Sequence, residues 1–268
     1  MKALAARRRH PAAIALLILV GLLITGGAYS FAAPKAANAS APAADAVTQG
    51  KTLFLANCAS CHGTGAQGTD EGPSLYGVGA ASVDFQMSTG RMPLTSPNVQ
   101  APSQEKIKFS NDEIAAIAAY VASLAPGPAI PDQTYTTVLQ PGTQENNEAI
   151  ARGGEIFRVN CAMCHNFAGA GGALTRGKYA PPLQGVPPVQ IYEAMETGPQ
   201  SMPVFSDTNI TPASKQQVIS YLKAIENEPE RGGLTLGNLG PVSEGLFAWT
   251  FGIGILIGCA IWLGKKAA

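Results

Sequence analysis

Two copies of one pattern constrain this chain more than any other feature: Cys58-Ala-Ser-Cys61-His62 and Cys161-Ala-Met-Cys164-His165. They take four of the five cysteines and two of the three histidines; His10 lies near the N-terminus and Cys259 in an apolar run. Thiols three residues apart share one helical turn and reach two points on the edge of a flat ring. A histidine directly after the second thiol then lies beneath that ring. This is the attachment pattern of c-type haem. Zinc calls for closed tetrahedral sets of Cys and His. A redox-active C-x-x-C needs no following histidine and sits in a βαβ context. Duplication in matching surroundings favours haem over both.

The duplication extends well beyond the cysteines. Setting Cys58 on Cys161 aligns Gly50 with Gly153, Leu53 with Ile156, Phe54 with Phe157 and Asn57 with Asn160. The apolar pair marks one face of a helix entering each motif. Downstream, Pro73-Ser-Leu75 matches Pro181-Pro-Leu183, and Phe85 through Pro93 matches Tyr192 through Pro203. An amphipathic helix closes each copy. The first opens on Ser110-Asn-Asp-Glu113, a capping box, and carries Ile114, Ile117, Val121 and Leu124. The second opens on Thr211-Pro212 and carries Val218, Leu222 and Ile225. Tyr120 and Tyr221 occupy equivalent places. The sequence therefore predicts two mainly α domains over residues 45–126 and 148–228, joined by a Pro-rich connection, 127–147, read as a stiff spacer. Modules of about 80 residues have marginal cores, which a covalent cofactor supplements.

Each copy offers two methionines after its histidine. Met87 and Met195 fall within helical stretches and read as core filling. Met92 and Met202 each precede a proline after a Thr-Gly break, on extended loops that hold a side chain rigidly. They are the expected second axial ligands, opposite His62 and His165. A methionine there raises the potential and suits the iron to electron transfer; an open position would suit oxygen or peroxide chemistry. The expected cofactors are two haems c, bound through Cys58, Cys61, Cys161 and Cys164.

Residues 1–44 contain Arg7-Arg8-Arg9 and then an apolar stretch, the form of an export signal. The stretch is also about as long as the roughly 20 residues that span a bilayer, so cleaved signal and retained anchor both stand. Small residues at Ala28, Ser30, Ala32, Ala33, Ala37 and Ala39 offer cleavage points. After a connection at 229–245, residues 246–264 are uncharged and are followed by Lys265-Lys266. This predicts a transmembrane helix whose C-terminus is cytoplasmic. Gly254 and Gly258 form a GxxxG that permits close helix packing, and Cys259 reads as an apolar filler.

Charge sharpens this picture. The chain has 18 Lys+Arg and 18 Asp+Glu, which excludes a strongly basic nucleic-acid binder. Six of the basic residues (Lys2, Arg7, Arg8, Arg9, Lys265, Lys266) are expected in the cytoplasm, leaving 12 basic against 18 acidic outside, a formal −6. The exported part is an acidic body between basic anchors.

Each module resembles a class I cytochrome c domain. The order of parts is similar to the dihaem cytochrome c subunit (cytochrome cc) of the actinobacterial menaquinol–cytochrome c reductase. Phe85 through Pro93, Phe157 through Asn166, Gly171 through Pro181 and Gly240 through Gly245 carry the resemblance. It implies a cytochrome b subunit, a Rieske iron–sulfur subunit and an aa3-type oxidase as partners, at the cell membrane with the haem domains on its outer face. By that resemblance the first haem accepts electrons from the Rieske cluster and the second passes them to the oxidase copper centre. The chain itself is then an electron carrier within an oxidoreductase. The alternatives are a subunit of a cbb3-type oxidase or of a periplasmic dehydrogenase, a dihaem peroxidase needing one open iron, and a haem-binding sensor.

Overall fold

The computed structural model describes residues 11–32, 44–94, 98–105, 107–227 and 241–266. The basic run before residue 11, the cleavage points from Ala33 to Ala39 and most of the 229–245 connection lie outside the described residues. One compact unit runs to residue 41 and contains helix α1 (Pro11–Ala32), whose large apolar side chains from Ile14 to Ile24 are exposed.

The second unit starts at residue 42 and holds the remaining elements. In chain order these are α2 (Ala44–Asn57), α3 (Ala59–His62), α4 (Gly79–Ser88) and α5 (Asn111–Leu124), then α6 (Gln133–Thr136), α7 (Gln144–Asn160) and α8 (Ala162–His165). A two-stranded antiparallel ribbon, β1 (Gly172–Ala173) with β2 (Tyr179–Ala180), follows. Helices α9 (Pro188–Thr197), α10 (Pro212–Asn227) and α11 (Pro241–Lys266) complete the chain.

The duplicated residues build duplicated packing. Helix α2 crosses α5, and α7 crosses α10. Glycine allows both crossings: a Cβ on Gly50 would fall 1.9 Å from the Ala116 carbonyl oxygen, and one on Gly153 would fall 2.0 Å from that of Gln217. Beside each crossing a buried phenylalanine meets a tyrosine, Phe54 with Tyr120 at 5.3 Å and Phe157 with Tyr221 at 5.7 Å between ring centroids. Burying each phenylalanine contributes about 1.5–3 kcal/mol. The expected capping box forms, with Ser110 N donating to Glu113 Oε2 (2.8 Å) and Glu113 N to Ser110 Oγ (3.4 Å). Ser214 N likewise donates to Thr211 Oγ1 (3.2 Å) at the start of α10. The stripes Ile114–Ile117–Val121 and Val218–Leu222 are buried as their spacing predicts.

The connection between the modules departs from the expected spacer. Between Pro128 and Leu139 it makes contacts with both modules. Ala81 N donates to the Pro128 carbonyl (3.1 Å). Gln216 Nε2, on α10, donates to the carbonyls of Thr134 (2.7 Å) and Thr137 (2.9 Å), and Leu139 N donates to Ser220 Oγ (3.0 Å). Tyr135 and Val138 pack against the second core. The segment includes the helical turn α6, and its carbonyls and two apolar side chains find partners that a composition-based reading overlooks.

The two modules also share a seam in which α4 packs on α9. Gln190 Nε2 donates to Ser88 Oγ (3.3 Å), and Ala101 N to Gln200 Oε1 (3.4 Å). Gln100 makes two bonds to the Tyr179 main chain, Nε2 to its carbonyl and Oε1 from its N–H, both 2.9 Å.

Helix α11 is uncharged from Gly245 to Gly264, and Ser243–Lys266 is long and apolar enough to cross a bilayer, with mean hydropathy 2.1. Its large side chains from Leu246 to Leu263 are exposed, and Gly254 and Gly258 meet nothing within 4 Å among the described residues. The GxxxG therefore packs against no described part of this chain.

Candidate haem centres

Both cysteine motifs lie where an incoming helix ends and a single further turn begins. Cys58 follows α2 and leads into α3, while Cys161 follows α7 and leads into α8. His62 N and Cys58 O, and His165 N and Cys161 O, are hydrogen-bonded at 3.0 and 2.9 Å. This turn brings both thiols and the histidine to one side.

The histidines are oriented alike. His62 Nδ1 lies 2.7 Å from the Pro73 carbonyl, and His165 Nδ1 lies 3.0 Å from that of Pro181. A carbonyl only accepts, so Nδ1 carries the proton in each ring and Nε2 keeps its lone pair for a metal. Burial lowers the His165 pKa, with the Pro181 bond opposing it, so the ring is neutral and ligand-ready at neutral pH. Burial also pushes the Cys161 thiol up to about 11, with Cys164 adding to the effect. Cys58 is likewise raised by burial, with Lys108 opposing. The prolines were legible as repeat markers; their role as carbonyl acceptors was not.

The methionines separate as expected. Met87 and Met195 are buried within α4 and α9. Met92 and Met202 are half-buried on loops after Gly90 and Gly198, both with left-handed φ (+67° and +58°). Met92 packs with Cys58 against the first core, and Met202 with Cys161 against the second.

In the second module these parts line one cavity of about 390 Å³. Cys161, Cys164, His165 and Met202 all reach it, and apolar side chains such as Phe157, Leu183 and Leu222 form much of its wall. Met195 also touches it. Two thiols, a neutral imidazole and a thioether around an apolar cleft suit the donor set and surface of haem c.

Sequence reasoning missed the origin of one wall. Phe85, Thr89, Arg91, Gln100 and Ser103 of the first module face the second module's cavity. The Arg91 guanidinium lies 4.9 Å from the centroid of the Phe85 ring. Its position directly before Met92 was the signal available, but nothing in the repeat indicates which module it serves.

Two buried charge clusters flank this architecture, and neither was legible beforehand. Glu193 of α9 is fully buried; its carboxyl oxygens meet no donor among the described residues, and the Asp84 carboxyl is its hydrogen-bonding neighbour. Burial, with the Asp84 carboxyl across the seam adding to it, pushes its pKa up to about 9. Glu193 is therefore protonated at neutral pH. Lys215 of α10 is also fully buried, with its Nζ bonded to Glu196 and, at 2.8 Å, to Asp207. It also lies 5.1 Å from the Tyr192 ring centroid.

Comparison with known proteins accords with this geometry. The family model "Cytochrome c" matches residues 47–125, and "Cytochrome C oxidase, cbb3-type, subunit III" matches 148–222. The "Cytochrome bc1 complex cytochrome c subunit" of Corynebacterium diphtheriae is 40% identical over 99% of this chain and 99% of its own length. The protein of that name from Mycobacterium tuberculosis is 43% identical over 94% of this chain and 90% of its own. The chain belongs to the family of cytochrome bc1 complex cytochrome c subunits. It accordingly has cytochrome c domains that bind haem c covalently, and an apolar C-terminal helix suited to membrane anchoring. The "Cbb3-type cytochrome c oxidase subunit FixP" of Bradyrhizobium diazoefficiens is 30% identical, over 46% of this chain and 40% of its own. The resemblance first read from the Met–Pro loops and tandem motifs thus agrees with relatives that span the chain.

Proposed function

We propose that this chain is the dihaem electron-carrying subunit of a membrane-bound cytochrome bc complex. It takes electrons from a Rieske iron–sulfur subunit at its first module and delivers them from its second to an aa3-type oxidase. Cys58 and Cys61 would attach one haem c, with His62 and Met92 offered to its iron. Cys161 and Cys164 would attach the other, with His165 and Met202.

The observation that carries this reading is the convergence of Cys161, Cys164, His165 and Met202 on one apolar cavity, together with the parallel arrangement in the first module. The names of relatives that span the chain support membership of the complex. When bound, each haem iron supplies a one-electron redox change without bond-making. The remaining work belongs to the chain. Pro73 and Pro181 fix the histidine tautomers, the Met–Pro loops would offer Met92 and Met202 to the irons, and apolar side chains line the second module's cavity. Helix α11 anchors the modules on the outer face of the cell membrane, with Lys265 and Lys266 retained on the cytoplasmic side.

Affinity purification of the chain from detergent-treated membranes tests this reading. A cytochrome b subunit, a Rieske subunit and an aa3-type oxidase should accompany it. Recovery without any b-type haem or oxidase refutes it. Peroxide turnover by the purified protein would point instead to a dihaem peroxidase.

A further inference from the structure

We propose that Arg91, a residue of the first module, binds the carboxylate side chains of the haem held by the second, so that the second haem site is completed by its neighbour. The inference rests on the proposed attachment of a haem at Cys161 and Cys164.

Three observations lead to it. Arg91 is the only lysine or arginine among the residues lining the second cavity. The ion pairs among the described residues involve Arg152, Lys215 and Lys223, so among those residues no carboxylate is paired with Arg91. Arg91 is also half-buried, with its guanidinium against the Phe85 ring at the cavity wall.

The charge of haem c is complementary to that of Arg91. A haem c has two ionised propionates on the edge of the ring opposite its vinyl groups. Once the vinyl edge is tied to Cys161 and Cys164, the carboxylates face other parts of the wall. Burying a carboxylate without a counter-ion is strongly unfavourable, and guanidinium is the side chain best shaped to pair with it. The second module itself contributes no lysine or arginine to the wall. The cavity wall around Arg91 is fixed by two sets of hydrogen bonds. It precedes the Met92 loop, whose main chain is fixed by a bond from Met92 N to the Gln86 carbonyl (2.9 Å). The nearby Gln100 is pinned to Tyr179 by two bonds of 2.9 Å. Adjacent residues of one loop, Arg91 and Met92, thereby serve different haems.

The test is a redox titration of the full-length, haem-loaded protein in detergent, comparing the parent with Arg91→Gln and Arg91→Lys. Met92→His and Met202→His variants first assign the two potentials, each moving one wave. Haem stoichiometry and the propionate bands in resonance Raman spectra are followed in parallel. A positive charge near a haem stabilises its reduced state, so Arg91→Gln should lower the second potential by more than the first. Arg91→Lys should restore most of the shift, and the propionate bands of the second haem alone should change. Two bound haems with an unmoved second potential overturn the proposal, as does a shift confined to the first haem. If Arg91→Gln loses the second haem, Arg91→Lys decides. Retention of that haem near the parent potential supports the proposal, and its loss overturns it. A parent protein lacking a covalent haem at Cys161 and Cys164 would instead defeat the underlying site reading.

Discussion

Replacing Glu193 by glutamine should make this protein more stable at neutral pH, because the carboxyl is buried in the seam without a hydrogen-bond donor. Its ordinary pKa of 4.5 is pushed up to about 9 in the fold. A raised carboxyl pKa means the folded chain holds a proton that the unfolded chain releases. Stability is then unaffected below pH 4.5, falls as pH rises towards 9, and loses nothing further above that. The slope is about 1.4 kcal/mol per pH unit, so Glu193 costs about 3 kcal/mol at pH 7. Glutamine keeps the shape, needs no proton, and supplies donors for Asp84. The variant should match the parent near pH 5 and exceed it increasingly up to pH 8. At pH 7 the gain corresponds to a Tm higher by about 6–12 °C. Unfolding of the haem-loaded chain in detergent, followed by circular dichroism at pH 5, 6, 7 and 8, measures this. Parallel pH profiles for parent and variant would falsify the assignment of a buried, protonated Glu193.

Three further substitutions probe other parts of the argument. Gly153→Ala places a Cβ against the Gln217 carbonyl oxygen and must spread α7 from α10, so it should cost about 2–3 kcal/mol, read as a lowered midpoint in denaturant. Lys215→Met leaves Glu196 and Asp207 without their shared cation; a loss of about 3 kcal/mol at pH 7 is expected, with partial recovery on adding Glu196→Gln. Met202→Ala should lower the second haem's potential and open its iron to carbon monoxide, and an unchanged spectrum and potential would remove Met202 from the ligand set.

Much of the fold was readable because its determinants are local and occur twice. The C-x-x-C-H motifs, the Gly–Phe pair on each entering helix, the Ser110–Glu113 box and the Thr211–Pro212 start each specify one turn or one helix face. The Met–Pro loops were separable from Met87 and Met195 because a Thr-Gly break interrupts the helical spacing. Tyr120 and Tyr221 were legible as equivalent positions, but their ring contacts with Phe54 and Phe157 were not. The 127–147 segment was harder, since its proline content describes backbone stiffness and says nothing about what its carbonyls or Tyr135 will meet.

By itself, then, the sequence determined the duplicated modules, the haem-attachment residues expected in each, and an acidic body followed by an apolar helix. Spacing within a single helix or loop is enough to encode each of these. Only the tertiary structure decided that Arg91 faces the other module's cavity, that Glu193 is sealed in the seam with Asp84, and that Lys215 is buried between two acids. These depend on which helices pack together across 19 to more than 100 residues of chain, as in the Lys215–Glu196 and Gln190–Ser88 contacts. Burial then changes the energetic meaning of a charge that the sequence lists as ordinary.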